Sequence, residues 1–361
     1  MIHLNTNYID LSTTLRNENL LKTEALFAAQ KHHCFTAFSD HFNSICTKIT
    51  NQQNNSTLPA ISRIDYTMLH TNFINRRYIA EVWVYGEDLY LDKNQRKIGE
   101  YDISFLFIHF DELWNKLLAQ RKRYVGKVRA QEVKTIIMQA LPDFYSYLTN
   151  IARFAITDIL DKKPFIDIIK NDPFKITIGE YMARTEPIYV ESKNKDVKEL
   201  AEWFDERLEN TYTFEDYSDL DFSAHFFTYT EFRYSHFRRS NFNNATLEGS
   251  TLIGTSFYRA QMENCCLNNS SIYEADFSYA NLKNASFINA RGRAGLPNKE
   301  EWRHVGFLPV SFRYADLTNA DFTGANLIGA DFTGAILEGV DFTGAVLDGA
   351  IFDSNIAGLI R

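Results

Sequence analysis

The chain has 361 residues, 45% hydrophobic and 23% charged, which is the balance of an ordinary globular protein of about two domains and excludes a disordered or fibrous chain. Its formal net charge is −8, most of it on 212–361 with 18 acidic and 11 basic residues, and no basic half points to nucleic acid. Four cysteines, Cys34, Cys46, Cys265 and Cys266, lack metal-ligand or disulfide-framework spacing, so a reducing compartment suits them. The first residues show no charged segment followed by an apolar one, and no run of about 18 apolar residues occurs. The expectation is a cytoplasmic protein without a membrane segment.

In chain order, residues 15–48 place Leu20, Leu21, Leu26, Phe35, Phe38, Phe42 and Ile45 mostly three and four apart, which predicts a helix. His32, His33 and His41 near Cys34 match no zinc pattern and read as helix histidines. Residues 51–57 form a polar loop. Ile79 to Tyr85 reads as a strand, 86–88 as a turn, 89–91 as a second short strand and 101–110 as a third, giving an antiparallel meander of about three strands. Helices are predicted at 111–121 and 130–160, the latter interrupted or restarted at Pro142. Pro164 and Pro173 punctuate the stretch after residue 160, and 195–209 is an amphipathic helix. Strands grouped together between helices make 1–210 an α+β domain.

Chemistry in that domain is sparse. No P-loop, dinucleotide turn, nucleophile elbow or zinc-binding helix is present. His109, Asp111 and Glu112 are residue types that a base and its orienting carboxylate use, but Asp111 also suits a helix N-cap and Glu112 a first turn, the commoner roles. The basic run from Arg121 to Arg129 suits a phosphate or nucleic acid, and a solvated helix end is the commoner explanation.

From Phe222 a large apolar residue falls at every fifth position, fourteen times to Phe287 and nine more from Phe312 to Phe352. A period of five fits neither helix nor strand, so each unit holds a short extended piece and a corner. Two residues before each large one there is usually a small one, such as Ala320 or Ala330, and both face inward because residues two apart on an extended segment share a side. The residue between them, such as Asp321, Asp331 or Asp341, faces out. In the second half the corner ends on glycine, as at Gly324 and Gly334, which suits a type II turn. Asparagine is common there in the first half, so a mixture of turn types is expected. Cys265 falls at a small inward position and Cys266 at an outward one, which favours packing over redox chemistry.

The units Ala320-Asp321-Phe322-Thr323-Gly324 and Ala325-Asn326-Leu327-Ile328-Gly329 resemble the pentapeptide-repeat proteins. The resemblance implies that the α+β domain is followed, over 211–361, by an all-β right-handed quadrilateral β-helix with four pentapeptides to a coil. Residues 20 apart would then stack about 4.8 Å apart. On that rule Phe312, Phe332 and Phe352 share one face and Phe322 and Phe342 the opposite one. Asp321 stacks on Asp341, and Arg239 on Arg259 as a short basic column.

The series breaks at 291–311, where Gly292, Gly295, Pro297 and Pro309 suit a loop and 297–304 a short helix. Phase is kept across the break, so a degenerate coil is the alternative to an excursion, and the poor filling at Gly292 and Pro297 favours the excursion. Trp302 and Arg303 on it are candidate partner contacts, together with Asp321, Asp331, Asp341, Arg239 and Arg259. Solenoids present surfaces more than they carry chemistry. The leading expectation is a non-enzymatic interaction or scaffold protein with no cofactor, no metal, no catalytic residues, no direct nucleic-acid binding and no membrane contact. Ile351, Phe352, Ile356, Leu359 and Ile360 would cap the last coil or, as the resemblance to dimeric family members implies, join a homodimer. The family supplies the alternative, a DNA mimic that modulates DNA gyrase; an enzyme whose chemistry lies in the N-terminal domain is the third reading.

Overall fold

The computed structural model describes residues 6–87, 93, 95–157, 159–181, 185–193, 200, 212–294 and 308–353. The chain divides into two compact units, Met1–Glu191 and Ser192–Arg361, where the sequence placed the division at 210.

The first unit is a five-stranded sheet with helices. Its elements are α1 (Thr6–Asn54), β1 (Ile61–Met68), α2 (His70–Ile74), β2 (Ile79–Tyr85), β3 (Arg96–Asp102), α3 (Ile108–Arg121), α4 (Ala130–Ala155), β4 (Lys170–Glu180) and β5 (Thr185–Glu191). The strand order is β3-β2-β1-β4-β5, with β1 and β4 parallel and the other pairs antiparallel. Helix α1 packs on α3 and α4, and its Phe38 meets Tyr66 of β1 at 5.1 Å and Tyr101 of β3 at 5.2 Å.

Several expectations change here. The meander is part of a larger sheet: β1, β4 and β5 had no counterpart among the expected strands, and the predicted strand 89–91 lies outside the described residues. Of the segment 101–110 only Tyr101 and Asp102 are strand, the end of β3. Ile103, Leu106, Phe107 and Phe110 are buried at spacings of three and four, the period of the helix α3 that they lead into. Helix α1 is longer than predicted at both ends and takes in residues 51–54 of the expected loop. Pro142 lies inside α4 without ending it. The proline removes one intrahelical bond, which the buried face running from Val133 through Ala140, Phe144 and Leu148 to Ile151 offsets.

In the second unit, parallel bridges join residues 20 apart, from Asp216 with His236 onward. The unit from Asn241 to Ala245 shows how the period arises, because all five of its N–H groups find acceptors. Asn241 N–H donates to Leu220 O at 2.9 Å, Phe242 to Gln261 O at 2.6 Å and Asn244 to Glu263 O at 2.8 Å; Ala245 closes the turn onto Phe242 O at 3.0 Å. The fifth, Asn243 N–H, faces away from both neighbouring coils and donates to the Asn241 side-chain Oδ1 at 3.1 Å. Buried backbone donors are costly to leave unpaired, and an Asp or Asn at the outward position supplies the acceptor that the main chain cannot.

The corner residue has φ between +54° and +74° at each position from Phe214 to Asn289 and from Tyr314 to Gly349. The expected mixture of turn types is therefore absent: Asp219, Arg239, Tyr279 and Asn284 adopt the same left-handed conformation as the glycines. Two backbone bonds fix the corner, so the ladder overrides the local preference of an L residue, worth about 1–2 kcal/mol.

Inside, the large residues of successive coils stack on one another. Phe237, Phe257, Phe277, Phe312, Phe332 and Phe352 form one ladder with ring centroids 4.8–5.4 Å apart, and Phe287, Phe322 and Phe342 a second. Buried hydroxyls at the small position tie coils together: Ser240 Oγ donates to Tyr217 O at 2.8 Å and accepts from Leu220 N–H at 3.2 Å. Across the break the step changes. Ser271 pairs with Arg291, 20 residues on, whereas Asp276 pairs with Ser311, 35 residues on. Ser311 thus stacks where residue 296 would fall in an unbroken series.

Candidate interaction surface on the repeat corners

The sequence candidates separate into three groups. Trp302 and Arg303 lie outside the described residues, as do Ile356, Leu359, Ile360 and all of the predicted 195–209 helix except Leu200, which packs against the apolar core of the second unit.

The second group is acidic. Asp321 and Asp341 bridge on adjacent coils, and each spends Oδ1 on the N–H two residues ahead, Thr323 and Thr343, at 2.8 Å. Asp331 accepts from Thr333 N–H at 2.9 Å and Thr333 Oγ1 at 2.6 Å. Such bonds hold Asp341 below the usual carboxylate range through Thr343, and Asp221 likewise through Ser223. Partial burial works the other way at Asp316, yet Thr318 and Lys283 hold it low as well. These carboxylates complete the corner before they meet any partner.

The third group is one corner of the rod. The column Asp219, Arg239, Arg259, Tyr279, Tyr314, Gly334 steps by 20 until the break and by 35 across it. Arg239 and Arg259 are neighbours in this column, as expected, but their side chains turn to different partners. Arg239 turns to Asp219 in a two-pronged pair at 2.7 Å for both bonds. Both side chains are about half exposed, so the pair contributes little stability. Arg259 lies over the rings of Tyr258 at 5.2 Å and Tyr279 at 5.7 Å, and the buried Arg238 over Tyr258 at 5.1 Å. Tyr279 stacks on Tyr314 with centroids 4.9 Å apart and planes 19° off parallel. Arg313 sits over Tyr314 at 5.8 Å and 3.8 Å from Asp331.

The result is an outward ladder of guanidinium and phenol groups on a fixed backbone. Tyr279 and Tyr314 are 47% and 46% exposed. Sequence reasoning found Arg239 and Arg259 but missed both tyrosines, because 279 and 314 share a column only once the step of 35 is known.

In the first unit the His109 group is not assembled as a site. Glu112 pairs with Lys22 at 2.6 Å and with His109 at 3.2 Å. Asp111 is not the N-cap, since α3 begins earlier at Ile108; it accepts from Tyr78 Oη at 2.6 Å. His41 packs against Tyr101 at 4.7 Å, and burial pulls it down to about 4, so it is neutral. Burial pushes the Cys46 thiol up to about 12 and raises Cys265, leaving both as packed thiols. Among the described residues no three His, Cys, Asp or Glu side chains are grouped to hold a metal, and no helix is long and apolar enough to cross a membrane.

A family model described as Pentapeptide repeats matches in eight copies over residues 230–269 and 310–353. No curated protein matches the chain. Among solved structures, HetL, a pentapeptide repeat protein involved in heterocyst differentiation regulation from the cyanobacterium Nostoc sp., is 17% identical over 45% of this chain and 98% of its own, with a TM-score of 0.16. A pentapeptide repeat protein from the Arabidopsis thaliana thylakoid lumen is 29% identical over 34% of this chain and 67% of its own, with a TM-score of 0.16. QnrB1, a plasmid-mediated fluoroquinolone resistance protein, is 15% identical over 40% of this chain and 96% of its own, with a TM-score of 0.15. TM-scores this low carry nothing about function.

Proposed function

We propose, from the pentapeptide repeats at residues 230–269 and 310–353 and the right-handed β-helix that such repeats imply, that the protein is a non-enzymatic, cytoplasmic interaction protein whose repeat unit is a four-sided rod. It binds another protein along the corner from Arg259 to Tyr314. The observation that carries this reading is the stacked and half-exposed Tyr279–Tyr314 pair flanked by Arg259 and Arg313. Tyrosine and arginine dominate binding energy at interfaces because they bring large contact area and planar donors. Here stacking and the coil ladder order them in advance, which lowers the entropy lost on binding. The guanidinium groups favour a protein surface with carboxylates.

The alternative, a DNA mimic acting on gyrase, needs free acid at regular intervals along the rod, as duplex DNA carries about one negative charge per 1.7 Å of axis. The acids crowd at the two ends of the repeats, 215–221 and 316–353, while residues 222–290 between them hold five acidic and five basic residues, Arg239 and Arg259 included, so the binding-surface reading stands first. It is tested by affinity capture from the protein's own cell extract, with the full chain and with Tyr279→Ser, Tyr314→Ser. A protein retained by the parent chain and lost with the double variant is the expected result. Identical retention by both would remove this corner from the account.

A further inference from the structure

The basic run of the first unit is the hairpin between α3 and α4. We propose that this hairpin docks the protein peripherally on an anionic lipid bilayer, with Val125 as the inserted residue.

Between Glu112 and Glu132 the sequence holds no carboxylate but six cations: Lys116, Arg121, Lys122, Arg123, Lys127 and Arg129. Five of them lie within the nine residues of the hairpin tip. Among the described residues the tip has one ion pair, Arg129 with Glu132 at 3.3 Å; Lys122, Arg123 and Lys127 are exposed. The tip has a defined shape. Tyr124 O accepts from Lys127 N–H at 2.9 Å and Val128 N–H at 3.0 Å, and the Tyr124 ring stands edge-on to Tyr8 at 5.2 Å. Val128 is buried and fixes the return into α4. Gly126, with φ +77°, turns the chain in open space.

At the summit Val125 is 83% exposed, more than the other large exposed hydrophobic residues among those described. Cations alone would suit any polyanion. An aliphatic side chain projecting from the middle of them has no counterpart in a phosphate backbone, whereas a bilayer offers hydrocarbon immediately beneath its anionic headgroups. Tyr124, half-buried beside it, is of the type that favours the headgroup layer. The acidic charge of the chain as a whole does not oppose this, because charges beyond a Debye length of about 8 Å are screened at physiological salt.

The test is co-sedimentation of the full chain with phosphatidylcholine vesicles that contain about one-third phosphatidylserine, against phosphatidylcholine alone and against duplex DNA. Binding to the anionic vesicles only is expected, weakening as salt rises. Lys122→Glu with Lys127→Glu should lower the partition constant by about tenfold or more, and Val125→Ser by several-fold without changing the salt dependence. All three positions are exposed, so the variants keep the fold, and unchanged circular dichroism checks this. The proposal is overturned by absence of binding to anionic vesicles, by binding that survives the double charge reversal, or by DNA binding that exceeds vesicle binding and ignores Val125→Ser.

Discussion

Phe257→Ala destabilises the repeat unit by about 3–5 kcal/mol, the cost of emptying a fully packed aromatic site. Phe257 is completely buried, with Phe237 stacked on one side at 5.4 Å and 9° and Phe277 on the other at 5.1 Å and 3°. The backbone around it is held by bonds to both neighbouring coils, so the space cannot collapse. The same substitution at Phe352 is the control. That ring meets Phe332 at 4.8 Å and is only partly buried, so its loss should cost about 1–2 kcal/mol by area. Where each coil bonds only to its neighbours, stability is a sum of repeat and nearest-neighbour contributions, and Phe257 has a stacked ring on both sides where Phe352 has one among the described residues. Denaturant unfolding of the intact chain reads both. Equal losses would mean that the stacked ladder is not what holds the rod together.

Gly254→Ala is expected to cost more than Gly349→Ala by about 1–3 kcal/mol, although both corners have nearly the same backbone, φ +62° and +68°. Forcing alanine into the left-handed region costs about 1–2 kcal/mol at either site. The remainder comes from what lies beneath. A Cβ at 254 would stand 2.2 Å from Cδ1 of Tyr234, a buried ring laid over the glycine of the next coil, whereas a Cβ at 349 has nothing within 4 Å. The clash also predicts coupling: Tyr234→Ala should recover part of the loss from Gly254→Ala and none of that from Gly349→Ala. Thermal unfolding of the three single and two double variants measures this, and equal shifts for the two glycines would contradict the packing of the corner columns.

The repeat was legible because its period is carried by side chains that must all face one way: Phe222 to Phe287 and Phe312 to Phe352 are the spine of the rod in sequence and structure alike. Its outer surface was less so. The motif alone marked Asp321 and Asp341 as outward acids, but their task of accepting Thr323 and Thr343 N–H emerges only from the backbone bonds. Column membership after residue 291 depends on a step of 35 that keeps the five-residue phase and so leaves no mark on the pattern. In the first unit, β1 hid because its central Asp65 is an acid and yet buried, bonded to Arg63 and Thr177. Local propensity does not register a pair made between strands. Segment 103–110 misled in the opposite sense, being rich in strand-forming types while its buried Ile103, Leu106, Phe107 and Phe110 lead into a helix.

The most direct test of the central claim is hydroxyl-radical footprinting of the full chain with and without the protein it captures. Tyr279 and Tyr314 should be shielded in the complex, while Tyr229, 76% exposed and on a different corner column, keeps its reactivity. Shielding of Tyr229 with Tyr279 and Tyr314 still reactive would place the partner on another face and contradict the account.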